Sequence, residues 1–331
     1  MQRILNDPDN IVNESLEGFL RCHSDIVTTT DNPRAIRSLF MKEGTVGIVT
    51  GGGSGHKPAF VGFCGENLCD AVAVGEICSS PTAQAFLDAF RAADTGKGVA
   101  CLYGNYSGDN MNVKMAVKMA KKIGLTVKTV VCDDDAASAP PEERKKRRGI
   151  AGEVIMYKCG GAMAATGADL DEVIRVAQKA VDMTRSIGIG LTPCTLPAVG
   201  HPNFEIKPGT MEVGVGPHGE PGMAVLPIET AENMAKRMVD VVLKDLPFAG
   251  GDEVSLLVNG MGATPLNEQY LLYREVAKLL DAEGIHVYKS YVGNYLTSMD
   301  MMGASITLTK LDDELKQMLD MPCYSAGLKQ R

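Results

Sequence analysis

The chain has 331 residues, 45% of them hydrophobic and 22% charged, a formal net charge of −8 and no tryptophan. At roughly 150 residues per unit the length suits two globular domains, the composition excludes a disordered or low-complexity chain, and the negative charge argues against a nucleic-acid partner. No apolar run approaches the ~18 residues that a membrane helix needs, and the polar turn after Leu5 excludes a signal peptide.

Residues 46–50 read as a strand running into Gly51-Gly-Gly-Ser-Gly55, and residues 70–74 as a second strand. In the Ser79-Ser80-Pro81 turn that follows, Ser80 suits a helix N-cap and Pro81 the first helical position. Ala83, Phe86, Leu87 and Phe90 then share one helical face. A third strand at 98–103 ends in Gly104-Asn-Tyr-Ser-Gly-Asp109, and the helix after it carries Met111, Met115 and Met119 at i, i+4 and i+8, which reads as a core stripe. Residues 125–132 form a fourth strand. Asp133-Asp134-Asp135 reads as a solvated loop and 142–148 as a solvated charged run. Residues 151–187 look helical, with a fresh start near Asp169.

The second half begins near Gly188 with a strand-like stretch at 188–195 and a proline-rich stretch at 193–208. It continues with a helix at 230–244, a strand at 253–258, a helix at 267–283 and strands at 285–291 and 304–309. The alternation predicts an α/β protein of two three-layer domains, 1–187 with a mostly parallel sheet and 188–331 with a mixed one. The nine cysteines are odd in number, form no C-x-x-C pair and sit largely in apolar runs, as small core residues of a reducing cytoplasm do.

Three strand ends in the first half carry loops rich in Gly, Ser or Asp. Ligands of an open parallel sheet bind outside the carboxyl ends of its strands, so His56, Ser80 and Asp109 are expected at one edge. Gly51 to Gly55 can cradle a phosphate with backbone amides, but G-x-x-x-x-G-K-[ST] is absent, which leaves no self-contained ATP site. In Gly214-Val-Gly-Pro-His218-Gly-Glu-Pro-Gly222 one imidazole stands among four glycines and two prolines. Such a loop holds His218 in one orientation, as a nucleophile or general base requires. The segment matches G-x-G-x-x-G, but Glu220-Pro221-Gly222 argues against the helix a dinucleotide site needs. His23 and His286 lie in ordinary segments, His201 lies in a turn, and no spacing supports a metal site.

Across these blocks the chain resembles the dihydroxyacetone kinase substrate-binding subunit (the DhaK family). The resemblance rests on Gly51 to Pro58, Gly75-Glu-Ile-Cys-Ser-Ser-Pro81, Asn105-Tyr-Ser-Gly-Asp-Asn-Met-Asn112, Arg147-Arg-Gly-Ile-Ala-Gly152, Gly214 to Gly222, Gly293-Asn-Tyr-Leu-Thr-Ser298 and Ser305-Ile-Thr-Leu308. It implies that His218 attacks the carbonyl of a short ketose to give a covalent hemiaminal, and that His56 and Asp109 handle the hydroxyl proton. It also implies that the loop around Gly53, Ser54 and Gly55, with Ser80, contacts the sugar. ATP or ADP with magnesium would sit on a separate DhaL-type subunit, the donor being ATP or a phosphotransferase relay, and the subunit would be a homodimer. Where the family usually carries a lysine this chain has Gly104, and Lys57 replaces a usual glutamate. The first change removes a cationic donor and is expected to make room for a C4 ketose such as erythrulose beside dihydroxyacetone. The competing reading is a ketose-binding coactivator or sensor, as some members of the family are; retention of both His56 and Asp109 favours the enzyme.

Overall fold

The computed structural model describes residues 3–202 and 204–331. Helix α1 (Ile11–Cys22) is followed by β1 (Val27–Thr29), β2 (Ala35–Ser38), β3 (Gly47–Gly52), β4 (Gly65–Glu66), β5 (Ala71–Val74), α2 (Ala83–Ala93), β6 (Val99–Gly104), α3 (Ser107–Lys122), β7 (Val127–Cys132), α4 (Gly152–Ala165) and α5 (Leu170–Asp182). The chain continues through β8 (Thr184–Gly190), β9 (Thr210–Val213), β10 (Ala224–Pro227), α6 (Ala231–Asp245), β11 (Glu253–Gly260), α7 (Leu266–Ala282), β12 (His286–Gly293), β13 (Gly303–Leu311), α8 (Asp313–Asp320), β14 (Cys323–Ser325) and β15 (Lys329–Gln330).

The first sheet has the order β1-β2-β5-β3-β6-β7, with β5, β3, β6 and β7 parallel and the β1–β2 and β2–β5 pairs antiparallel. The second, β10-β9-β8-β13-β11-β12, is antiparallel except for the β11–β12 pair. This is the α/β architecture that the alternation predicts. Helices α2 and α3 cover one face of the first sheet through Phe86, Phe90, Val113 and Ala116, and α6 and α7 cover one face of the second through Met238, Val242, Leu272 and Val276. Between the sheets lie α4, α5 and α8. Strand residues alternate by face, and Leu257 joins this middle core while Leu256 and Val258 join the outer one. Helix α4 is buried on every side from Gly152 to Ala164, which explains its small residues and lack of a polar face.

Several expectations yield to packing. The helix after β5 starts at Ala83 with Thr82 as its cap, which accepts from the Ala85 amide at 3.1 Å, so Ser80 is not the cap. Met111 and Met115 are exposed on α3. The inward face belongs to Val113, Ala116 and Ala120, small enough to let the helix sit close to the sheet. Strand β8 begins at Thr184 rather than 188 because Thr184 and Ser186 bond Thr309 and Thr307 of β13 across a buried seam, a polar ladder that hydrophobicity does not reveal. The last strands return to the first half, where β14 pairs with β4.

The two runs read as solvated are buried or half-buried ion networks. Asp133 pairs with Arg144 and Asp135 with Arg148, while Asp134 accepts the amides of Ile150 and Gly152 at the start of α4. Arg147 is fully buried and grips Asp245 of α6 with both terminal nitrogens, and Arg185 binds the same carboxylate. Removing one partner of a buried pair strands the other charge. Arg147→Ala is therefore expected to cost roughly 3 kcal/mol in urea unfolding, whereas an unchanged midpoint would show that Arg185 alone satisfies Asp245.

Candidate functional site

A cavity of about 450 Å³ opens at the carboxyl ends of β3 and β6, where the chain turns from β5 on one side of β3 to β6 on the other. Gly51, Gly52, Gly53 and His56 line it from the first loop, Ser79 and Ser80 from the second, Gly104 and Asp109 from the third, and Pro217 and His218 from the second half. Of the residues expected at the site, Ser54 and Gly55 do not line it. Ser54 donates to the Gly75 carbonyl at 2.7 Å, and Gly55 packs against Cys78 and Met299. No helix follows Gly214 to Gly219 before α6, which removes the dinucleotide reading.

The two candidate imidazoles meet. His56 Nε2 lies 3.0 Å from His218 Nε2, with the rings nearly perpendicular. The far side of each ring is anchored. His56 Nδ1 is 2.7 Å from the Thr297 carbonyl, and His218 Nδ1 is 3.0 Å from Glu220 Oε1. A carbonyl and a carboxylate only accept, so each Nδ1 carries a proton; the Nε2 contact is a hydrogen bond when one ring is charged and sets two lone pairs against each other when both are neutral. Burial, then the neighbouring His218, push His56 down to about 4. Burial alone would raise Glu220, but the hydrogen bond from His218 outweighs it and holds the carboxyl at about 2. Glu220 is thus an anion facing a ring that can share its charge.

The His218 loop is tied down on all sides. The His218 and Gly216 amides donate to the Glu220 carboxylate and carbonyl at 2.9 Å each, and Gly219, at φ 85°, closes the turn onto Gly216. Ser298 donates to the Pro217 carbonyl, Arg148 to the Gly214 carbonyl at 2.8 Å, and the Tyr106 ring meets His218 edge-on. The amides of Gly216 and Gly219 are used within the turn, so they do not face a ligand. On the first-half side the Thr297 and Met299 amides donate to the His56 and Gly55 carbonyls, which fixes the short helical turn bearing His56.

Asp109 opens α3, and its Oδ2 accepts from Ser80 at 2.8 Å while Oδ1 has no partner. Gly104 lines the cavity as expected, but the space above it is taken: a Cβ there would collide with Glu153 Oε1. Glu153, Glu220 and the Thr297 carbonyl were not singled out in the sequence. The proximity of Glu220 to His218 in a glycine-proline loop was a readable signal for the second. No metal spacing is visible in the sequence, yet His56, Cys78 and His218 bring one ligand atom each within 4.8 Å of one another from three separate segments.

Burial raises Asp109 from 3.8 to about 6, partly offset by the bond from Ser80. The folded chain therefore holds this proton more tightly than the unfolded one. That stabilisation is complete below the unfolded value and is lost as pH rises through the folded one. Asp109→Asn is expected to exceed the wild type in stability above that range by on the order of 2 kcal/mol, and to match it at acid pH. Parallel stability-versus-pH curves for the two proteins would contradict the burial argument.

The Dak1 domain model matches residues 17–327. A PTS-dependent dihydroxyacetone kinase 2 dihydroxyacetone-binding subunit DhaK of Listeria innocua is 42% identical over 99% of both chains. An L-erythrulose kinase of Pectobacterium atrosepticum is 38% identical over 99% of this chain, which spans only 57% of that protein. Among solved structures, a dihydroxyacetone kinase operon co-activator superposes with a TM-score of 0.90 at 31% identity, covering 96% of this chain and 99% of that one.

Proposed function

Because the chain belongs to the Dak1 domain family, we propose that it is the ketose-binding subunit of a dihydroxyacetone-type kinase, taking dihydroxyacetone or a C4 ketose such as erythrulose. The observation that carries this reading is the pair of facing Nε2 atoms. With its Nδ1 proton held by an acceptor, each neutral ring keeps an Nε2 lone pair, one for an electrophilic carbon and the other for a hydroxyl donor. A hydroxyketone has both.

In this reading the His218 Nε2 lone pair forms a bond to the carbonyl carbon. The C=O π pair moves to oxygen, which takes up a proton and becomes the hemiaminal hydroxyl. Glu220 stabilises the positive charge arising on the ring by accepting the Nδ1–H hydrogen bond, and loss of the Nδ1 proton to solvent balances the one the oxygen takes from solvent and leaves a neutral adduct. Short ketoses have few atoms with which to gain noncovalent affinity, so a reversible bond adds hold and excludes glycerol, which lacks a carbonyl. His56, neutral and accepting at Nε2, and Asp109 then receive the proton of the hydroxyl to be phosphorylated. Ser80 keeps Asp109 oriented, and the Gly53 backbone lies along the sugar. Positioning for in-line attack is most of what phosphoryl transfer asks of a protein.

The phosphoryl donor belongs elsewhere in this account. The described lining has no lysine or arginine and includes two carboxyl groups, which offers a polyphosphate no counter-charge. ATP or ADP with magnesium is assigned to a separate DhaL-type subunit, and the ketose-binding subunit to a homodimer. The printed name of the Listeria relative supports a binding subunit, and that of the Pectobacterium relative a four-carbon sugar. A second reading, a ketose-binding co-activator, is favoured by the superposition on a co-activator. It keeps the adduct and drops the transfer.

Carbon-13 spectra of a ketose labelled at its carbonyl decide the adduct. The wild type is expected to move the signal from the carbonyl to the tetrahedral region, His218→Ala to abolish the shift, and Glu220→Gln to slow adduct formation at least roughly tenfold, as loss of an orienting carboxylate does in a triad. An unshifted carbonyl signal in a saturated wild-type complex would reject covalent binding. Phosphorylation only on adding the nucleotide subunit supports the kinase over the co-activator.

A further inference from the structure

Four buried side-chain polar atoms among the described residues have no hydrogen-bond partner, and two of them, Asp109 Oδ1 and Glu153 Oε1, belong to residues that line this cavity. Stranded buried polar atoms are rare and costly. Two such oxygens on residues lining one cavity are available to hydrogen-bond a polar ligand.

Glu153 sits in the first turn of α4 and is 1% exposed. Its other oxygen, Oε2, accepts from the Tyr157 hydroxyl one helical turn on, and Tyr157 in turn accepts from Thr50 Oγ1 at 3.0 Å. This relay runs in one direction. Thr50 and Tyr157 spend their protons towards Oε2, so an acid proton on the carboxyl resides on Oε1, the oxygen without a partner. Glycines 104 and 149 make room for that oxygen: a Cβ on Gly104 would collide with it, and one on Gly149 would lie 3.1 Å away. Burial, with Asp134 and Asp109 adding to it, raises the Glu153 carboxyl to about 8, so it is largely neutral in a neutral solution.

We propose that Glu153 is a ligand-contacting, specificity-determining residue, whose Oε1 hydrogen-bonds a ketose hydroxyl other than the one that is phosphorylated. Resting on the ketose-binding reading, this deepens it by naming the substrate class: a neutral ketone flanked by hydroxyls on both sides. A neutral acid here donates to a hydroxyl oxygen without attracting cations, and the partner oxygen Asp109 Oδ1 accepts from the other hydroxyl. Anionic ketose phosphates gain nothing from either group and meet the Asp109 charge.

Hydroxyacetone tests this, because it keeps the carbonyl and one hydroxyl and lacks the second. Calorimetry on the full chain is expected to show the wild type preferring dihydroxyacetone to hydroxyacetone by at least roughly tenfold, as a site that bonds a hydroxyl rejects the analogue without it. Glu153→Leu should collapse that ratio to within about twofold, while Glu153→Gln, whose amide can donate from the same place, should restore most of it. Gly104→Ala, whose added carbon would fall against Oε1, should lower the ratio without altering the glutamate, and it supplies the answer if the Leu variant fails to fold. A ratio unchanged in Glu153→Leu or Gly104→Ala overturns the assignment. Failure of the wild type to bind either ketone overturns both this inference and the ketose-binding reading. Binding of both, with the labelled carbonyl shifted but the ratio insensitive to position 153, overturns this inference alone.

Discussion

The approach of two imidazoles through their Nε2 atoms is the constraint on which the site depends. Histidines do not settle nose to nose unless their other nitrogens are held, and here each Nδ1 is held by a group that can only accept. The anchors come from both halves of the molecule. His56 leaves the end of β3 but is fixed by Thr297, beyond β12. His218 sits between β9 and β10 but is fixed by its own loop, which Arg148 of the first half secures by its bond to the Gly214 carbonyl. The site is therefore an interface between two sheets, and its geometry is as rigid as the layer between them.

That layer is where buried charge is concentrated. Asp134 accepts the first amides of α4, where an acceptor suits both the unpaired N–H groups and the positive end of the helix dipole. It thereby fixes the first turn of α4, where Glu153 follows Gly152 and lies against Gly104. Asp135 holds Arg148, and Arg147 reaches Asp245 on α6. One short segment, residues 147–153, thus orients the His218 loop, joins the outer helix layer and supplies a cavity wall. A chain that used apolar residues here would pack as well and position nothing.

The fold was legible where strand and helix alternate, β5 to β7 in the first half and α6 to β12 in the second, but not at β1, β2 or the β9–β10 hairpin; the first-half site was legible because its loops close strands of a parallel sheet. What stayed hidden has physical reasons. The partners of Arg147 and Arg185 lie far along the chain, so a charge run that looks solvated reads the same as one that is buried. The spacing of Met111, Met115 and Met119 identifies a helical face but not which face is inward, and the smaller Val113, Ala116 and Ala120 won because they allow close approach. Glu153 stands in an otherwise apolar Ala-Gly-Glu-Val stretch, where a single acid carries no periodic signal. Thr297 contributes a carbonyl, which any residue type would supply. Gly104 was legible as a departure, but not the oxygen that fills its space.

The ketose-binding role of His218 turns on Glu220 holding its proton on Nδ1, which leaves Nε2 of the neutral ring unprotonated. Nitrogen-15 spectra of the histidine side chains in the ligand-free protein read this directly. The account requires Nδ1 to be the protonated nitrogen of both His56 and His218, with the Nδ1 signal of His218 moving when Glu220 is replaced by glutamine. A neutral His218 protonated at Nε2 and bare at Nδ1 would contradict it, since such a ring could neither donate to Glu220 nor attack a carbonyl from the side that faces the cavity.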